Sequence, residues 1–130
     1  MAVYVPWKQI FKAGARFAEF GFFTGSGGTV TQGTGKTTGV TLNKMTGKIT
    51  MHGAELAAGA EATFTLTNSK IGATDLVLVH HGSAGTAGAY MAQCTLVAAG
   101  SCSITVSNLS AGALSEAIVL HFAVIKGVHA

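Results

Sequence analysis

The chain has 130 residues, with eight basic and five acidic side chains and a formal net charge of +3. That length suits one domain with one hydrophobic core and leaves little room for a second domain. Only 10% of the residues are charged and 48% are hydrophobic, so the composition excludes a disordered chain, which needs the reverse of both.

The scarcity of charge also predicts how the surface is used. Soluble monomers normally carry many interspersed Lys and Glu residues that keep copies apart. This chain must cover its surface mainly with Thr, Ser, Asn, Gly and Ala. We therefore expect a protein that packs against partners, the alternative being a compact monomer with an inert surface. The basic residues are scattered and form no patch interleaved with aromatics, so nucleic-acid binding is not predicted.

Residues 1–27 differ from the rest of the chain, because they hold the only Trp, the only Pro and five of the seven Phe residues. Apolar residues at positions 10, 11, 14, 17 and 18 fall near helical spacing, whereas the FGFF run that follows looks extended. We predict an N-terminal arm, extended or partly helical, over residues 1–27 and a β-domain over residues 28–130. No apolar run suits a signal peptide or a membrane helix, so we expect synthesis in a reducing host cytoplasm, no membrane contact, and free thiols at Cys94 and Cys102.

From residue 28 onward, the apolar period becomes two. Apolar and polar residues alternate in segments 40–42, 49–51, 64–66 and 102–106, which predicts strands with one buried and one exposed face. Segments 75–81 and 116–126 are apolar on both faces, and segment 88–97 is mixed on both. Such strands are central in a sheet, or their second face is covered by a partner or by the arm.

Turn residues separate these runs and give about eight strands, spaced as in a β-sandwich. We predict an all-β fold, an antiparallel β-sandwich of the jelly-roll type. The rival immunoglobulin-like topology favours a Trp in the core, and the only Trp here lies in the arm. Segments 55–59 and 109–115 could each form one helical turn.

Two patterns suggest sites, and neither is complete. The GTGKTT run at 33–38 resembles the end of a phosphate-binding loop, but the earlier glycine that such a loop needs is replaced by Val30, and a strand follows instead of a helix. A hairpin loop is therefore favoured. His80 and His81 are adjacent on a strand and point to opposite faces, and the other histidines show no converging ligand set. We predict no metal and no cofactor.

Catalytic constellations are also missing from the sequence. The five carboxylates form no close pair, which a glycosidase would need. Ser83 lies near two histidines but lacks the nucleophile motif. We predict no catalytic residues and a protein that is not an enzyme.

Several phrases between Gly28 and Val128 resemble a known family. The runs TQGTGKTTGVTLNKMTGKITM, FTLTNSKIGATDLVLV, GAY and ITVSNLSAGALSEAIVLHFAVIKG are similar to small proteins of tailed phages and prophages. They also resemble the jelly-roll capsid cement, or decoration, proteins of podoviruses such as those that infect Bordetella. This resemblance implies a structural virion protein on the capsid exterior that ties neighbouring major capsid subunits together.

The resemblance does not cover the arm and supplies no binding residues. From their chemistry, we expect the arm's aromatic and basic side chains to contact the capsid, since aromatics bury much area with few rotors. We also expect self-association as a dimer or trimer. The alternatives are an arm that folds back on its own domain, a receptor- or glycan-binding module of a tail fibre or spike with Tyr90 as its one candidate outside the arm, and an enzyme subunit. The predicted contact residues are Trp7, Phe11, Lys12, Arg16, Phe17, Phe20, Phe22 and Phe23.

Overall fold

The structure, a computed structural model, describes residues 21–128. These residues form eight β-strands and no helix. The strands are β1 (Thr29–Thr31), β2 (Val40–Thr41), β3 (Thr46–Thr50), β4 (Glu61–Thr67), β5 (Leu76–Ser83), β6 (Tyr90–Ala98), β7 (Ser101–Asn108) and β8 (Val119–Ile125). None of the residues described forms a helix long and apolar enough to cross a membrane.

Two four-stranded sheets pack against each other. Sheet A has the order β1-β3-β8-β5, and sheet B has the order β2-β4-β7-β6. The predicted all-β sandwich of eight strands is thus confirmed. The helical turns expected at 55–59 and 109–115 are wrong, because Leu56 and Leu114 instead form an isolated antiparallel bridge that ties these two segments together.

The sheets are mixed, so the expectation of wholly antiparallel sheets needs correction. β1 pairs with β3 in parallel, and β2 pairs with β4 in parallel, whereas the other four pairings are antiparallel. The cause is the path of the chain, which passes from one sheet to the other at every connection except the β6–β7 hairpin. In both parallel pairs, the two strands are separated by two crossings between the sheets.

The core lies between the sheets and follows the alternation of the strands. Along β4 the burial alternates at every residue, with Ala62, Phe64 and Leu66 facing inward. Leu120 and Val124 of β8 are fully buried opposite them. Burying a side chain of this size contributes about 1.5–3 kcal/mol, so the inward rows of both sheets supply the main stabilisation of the fold.

Of the three strands predicted to be central or covered on their second face, one is central in its sheet and two lie at a sheet edge. β8 is an interior strand of sheet A, but β5 and β6 are edge strands at the same side of the sandwich. A central position is therefore wrong for β5 and β6. Their outward apolar side chains, including Leu76, Leu78 and Leu96, are exposed among the residues described.

Candidate interaction surfaces

The outer faces of the two sheets differ in chemistry. On sheet B, hydroxyl groups dominate: Thr63 and Thr105 share a hydrogen bond of 2.8 Å between their side-chain oxygens. In the same face, the Ser107 hydroxyl donates to the Glu61 carboxylate at 2.9 Å. Thr105 and Ser107 are buried and these bonds satisfy their hydroxyl groups, so the middle of this outer face is polar.

Sheet A presents an outer face that is largely apolar. The register places Leu78 beside Ala123 and Leu76 beside Ile125 across the β5–β8 pair. Leu76 is 54% exposed, Leu78 50% and Ile125 42%. Phe22 lines the same groove as Leu78, Ala123 and Ile125, and its side chain is 45% exposed. We call these five residues the apolar face; a contiguous exposed patch of this kind is typical of a contact surface.

A row of basic groups borders the apolar face. His80, His121 and Lys48 are direct neighbours across β5, β8 and β3. The His80 and His121 rings meet edge to face, with centroids 5.4 Å apart. Burial, followed by the nearby charges of Lys48 and His80, lowers the pKa of His121. Its Nε2 atom is buried and has no hydrogen-bond partner, so this border disfavours a further positive charge.

The described histidines, His52, His80, His81 and His121, lie in different surroundings. Within residues 21–128, no group of three or more His, Cys, Asp or Glu side chains could hold a metal ion. His81 points away from His80, as predicted, and its ring packs on Tyr90 at 5.6 Å. The Nδ1 atom of His52 accepts a hydrogen bond from the backbone N–H of Ala54 at 3.0 Å.

The loop that resembled a phosphate-binding loop has a different role. The Lys36 side chain is buried, and its Nζ donates to the carbonyl oxygens of His52 and Glu116, each at 2.6 Å. Gln32 is buried beside it and donates to the carbonyl oxygens of Lys36 and Thr38, both at 2.9 Å. The lysine that would have to reach a phosphate is therefore committed to the protein's own backbone.

Two of the described carboxylates, those of Asp75 and Glu116, hold loops in place. Asp75 accepts hydrogen bonds from the backbone N–H of Gly72 at 2.7 Å and of Gly127 at 3.1 Å, and it forms an ion pair with Lys126. Glu116 accepts from the backbone N–H and the hydroxyl of Thr86 at 3.0 and 2.8 Å. These bonds lower the pKa of both carboxyl groups, which makes them structural anions at neutral pH.

Tyr90 lies inside the sandwich and not on its surface. It is 6% exposed, and burial together with the nearby Glu116 carboxylate raises its pKa to about 12. A sugar-binding aromatic must present its ring face to solvent, so the one candidate outside the arm is lost to a glycan-binding interpretation. The histidine beside Ser83 is also engaged with the backbone: the Nε2 atom of His81 lies 2.6 Å from the carbonyl oxygen of Ala84.

Both cysteines are free thiols, as predicted. Cys102 is buried between the sheets, and burial, with Cys94 close by, raises its pKa to about 12. A thiol with so high a pKa is a poor nucleophile at neutral pH. Cys102 therefore serves as a small apolar core residue.

Of the predicted contact residues in the arm, Phe22 and Phe23 lie in the described part of the chain, where they are 45% and 84% exposed. The end of the arm is held against the sandwich: the Gly25 carbonyl accepts from Lys44 Nζ at 3.2 Å, and the Gly28 carbonyl accepts from the backbone N–H of Lys48 at 2.9 Å. The remaining predicted contacts lie outside the described residues; they are Trp7, Phe11, Lys12, Arg16, Phe17 and Phe20.

The surfaces identified from the sequence and those found in the structure overlap only in part. Phe22 was expected at a contact, whereas Leu78 and Ile125 were not singled out individually. The signal that could have found them was the apolar character of segments 75–81 and 116–126 on both strand faces. Comparison with known proteins adds no relative: no family model, no curated protein and no solved structure matches this chain.

Proposed function

We propose that this chain is a structural virion protein, without enzymatic activity, that binds the outer surface of a tailed-phage capsid and cements neighbouring major capsid subunits. The observation that carries the proposal is the apolar face of sheet A, on which three aliphatic side chains of two adjacent strands are each more than two-fifths exposed. A rigid sandwich with such a face is built for contact.

The chemistry of the rest of the described chain fits a role in adhesion. Lys36, Asp75 and Glu116 are all committed to holding loops together. A cement protein needs only a stable scaffold and a binding surface, because it stabilises the assembled shell by binding to it and not to free subunits. Many copies on one shell then act together.

The resemblance of segments between Gly28 and Val128 to cement proteins supports the same proposal. In this reading, the partners are the major capsid protein and other copies of the chain, as a dimer or trimer. The protein would be made in the host cytoplasm and would reside on the capsid exterior. Its contacts would combine the apolar face with the aromatic and basic residues of the arm.

Decoration of capsids that lack the protein tests the proposal directly. Purified wild-type chain is mixed with such capsids, and the bound fraction is measured by co-sedimentation. We expect saturable binding by the wild type and at least a tenfold weaker affinity for Leu78→Asp, because a buried unpaired carboxylate costs several kcal/mol at an interface. Leu109→Asp is the matched control, since Leu109 is 60% exposed and directly follows β7 of sheet B.

Three results would contradict the proposal. The first is a wild-type chain that does not bind capsids. The second is Leu78→Asp binding as tightly as the wild type. The third is labelled chain that appears at the tail in images of the virion together with clear hits in a glycan array, which would favour the receptor- or glycan-binding module.

The contribution of the arm is tested by truncation. Residues 25–28 bond to Lys44 and to β3, so removing residues 1–20 spares the sandwich better than removing all of 1–27. We expect the shortened chain to keep its circular dichroism spectrum and to lose most capsid binding. Full decoration by this chain would exclude the arm as a capsid contact.

A further inference from the structure

We propose that the apolar face of sheet A is the docking site for residues 7–20 of the same chain. The described chain begins in this site: Gly21 and Phe22 line a groove of about 520 Å³, together with Leu78, Ala123 and Ile125. The point at which the preceding segment joins the described chain is therefore the groove itself. A segment tethered at that point is at high effective concentration over the face.

The length of the preceding segment matches the face. Fourteen residues, 7–20, span about 21 Å as a helix and up to about 50 Å when extended. The seven residues of β8 span about 23 Å, and the four strands of sheet A give a width of about 14–19 Å. As a helix the segment matches the length of the face, and fully extended it is about twice as long as the face.

The segment also has the right chemistry for an apolar face with a basic border. It carries Trp7, Ile10, Phe11, Phe17 and Phe20. These side chains can bury the exposed surface of Leu76, Leu78 and Ile125, which the described residues leave open. Aromatic side chains bury about 150–250 Å² each, so a few of them suffice to cover this patch.

The charges favour one orientation of the segment. Its basic residues Lys8, Lys12 and Arg16 recur every four positions, which places them together on a helical repeat, opposite Ile10 and Phe17. The border of the face is itself basic, through Lys48, His80 and His121. Docking through the apolar side keeps Lys8, Lys12 and Arg16 away from Lys48 and turns them outward.

This inference does not rest on the proposed function, because it concerns the isolated chain. Combined with that function, it means that the capsid contacts the apolar face only where the segment leaves it uncovered, and that Leu78→Asp weakens capsid binding by releasing the segment. The segment would fill the centre of sheet A and present its cationic side to the partner. A partner of complementary chemistry would carry carboxylates opposite Lys8, Lys12 and Arg16.

Trp7 is the only tryptophan in the chain, which makes its fluorescence a reporter of docking. In the full-length protein, we expect blue-shifted emission and weak quenching by acrylamide. Leu78→Asp should shift the emission to longer wavelength and make quenching several-fold more efficient. Leu76→Asp is a second variant at a 54% exposed position and should do the same. Leu109→Asp should leave Trp7 unchanged.

Circular dichroism confirms that each variant is folded before its fluorescence is read. Emission typical of water-exposed Trp in the folded wild type, or emission that neither Leu78→Asp nor Leu76→Asp alters, would overturn the proposal. Dilution shows whether the segment that covers the face belongs to the same chain or to a second copy. If the Trp7 signal of the wild type reverts to the exposed value as the chain is diluted to a monomer, the face is covered by a second copy and the same-chain assignment is wrong.

Discussion

The Nζ atom of Lys36 lies 2.6 Å from the backbone carbonyl oxygen of Glu116, which is 80 positions away in the chain. The same nitrogen donates to the carbonyl oxygen of His52 at 2.6 Å. Lys36 thus joins the β1–β2 loop to the segment that follows β3 and the segment that precedes β8. Burial lowers the pKa of this amine, and the negative charge of Glu116 partly opposes that effect.

Replacing Lys36 should therefore weaken the fold. Lys36→Met keeps the length of the side chain but leaves two carbonyl oxygens without their donor, which costs about 1–3 kcal/mol of unfolding free energy. Urea titration followed by circular dichroism measures this change. Lys70→Met is the control, because the side chain of Lys70 lies at the exposed surface. Equal urea midpoints for the two variants would show that Lys36 is not a structural clamp.

Asn108 should be among the most sensitive polar positions. Its side chain is fully buried, and its Nδ2 lies within hydrogen-bond distance of the carbonyl oxygens of Leu56, Ala57 and Gly112, at 2.9–3.1 Å. Asn108→Ala removes these partners and should lower the unfolding free energy by about 2–4 kcal/mol. Thermal and urea unfolding measure the loss.

Asn43→Ala provides the matched asparagine control for Asn108. Asn43 is exposed, and its side-chain oxygen accepts one hydrogen bond, from the backbone N–H of Ser69 at 2.9 Å. We expect this variant to lose less than half as much stability. Comparable losses in the two variants would contradict the role assigned to burial.

Gly47 permits the close approach of β3 to its neighbours. A Cβ atom at this position would lie 2.8 Å from the carbonyl oxygen of Gly28 and 2.9 Å from the Phe122 ring. Gly47→Ala should therefore destabilise the protein by about 1–3 kcal/mol, as overpacking does. Gly33→Ala should be nearly neutral, because a Cβ there meets no atom within 4 Å. A Gly47→Ala variant as stable as the Gly33→Ala variant would contradict this packing.

Asp75 should make stability depend on pH in acid. Hydrogen bonds from Lys126 and from the backbone N–H of Gly72 lower its pKa from 3.8 to about 2. The folded state therefore binds this proton less readily than the unfolded state. The stabilisation is complete above about pH 4 and disappears as the pH falls toward about 2.

Asp75→Asn should be less stable than the wild type at pH 7, and the difference should shrink between pH 4 and pH 2. Thermal unfolding at a series of pH values measures it. Glu55→Gln serves as a control at an exposed carboxylate. A difference in melting temperature between the wild type and Asp75→Asn that stays constant down to pH 2 would show that Asp75 does not cause this pH dependence.

The sequence by itself determined the strands and their buried faces. Alternation in segment 64–66 predicts that Phe64 and Leu66 face inward, and both do so in β4. It succeeds because side-chain direction along a strand is a local property with a period of two. By contrast, Asp75, Glu116 and Glu61 each have a partner in another segment, and these partners were not predicted.

Only the tertiary structure decided which strands meet. The parallel pairing of β1 with β3 follows from the path of the chain between the sheets, and a local pattern contains no record of that path. The same holds for the apolar outer side of β5. The sequence pattern of β5 was compatible with a central strand or with a strand whose outer face is covered by a partner or by the arm. Its edge position in sheet A excludes the central strand. The clamp of Lys36 on Glu116 joins residues from distant parts of the chain, so a loop motif alone could not reveal it.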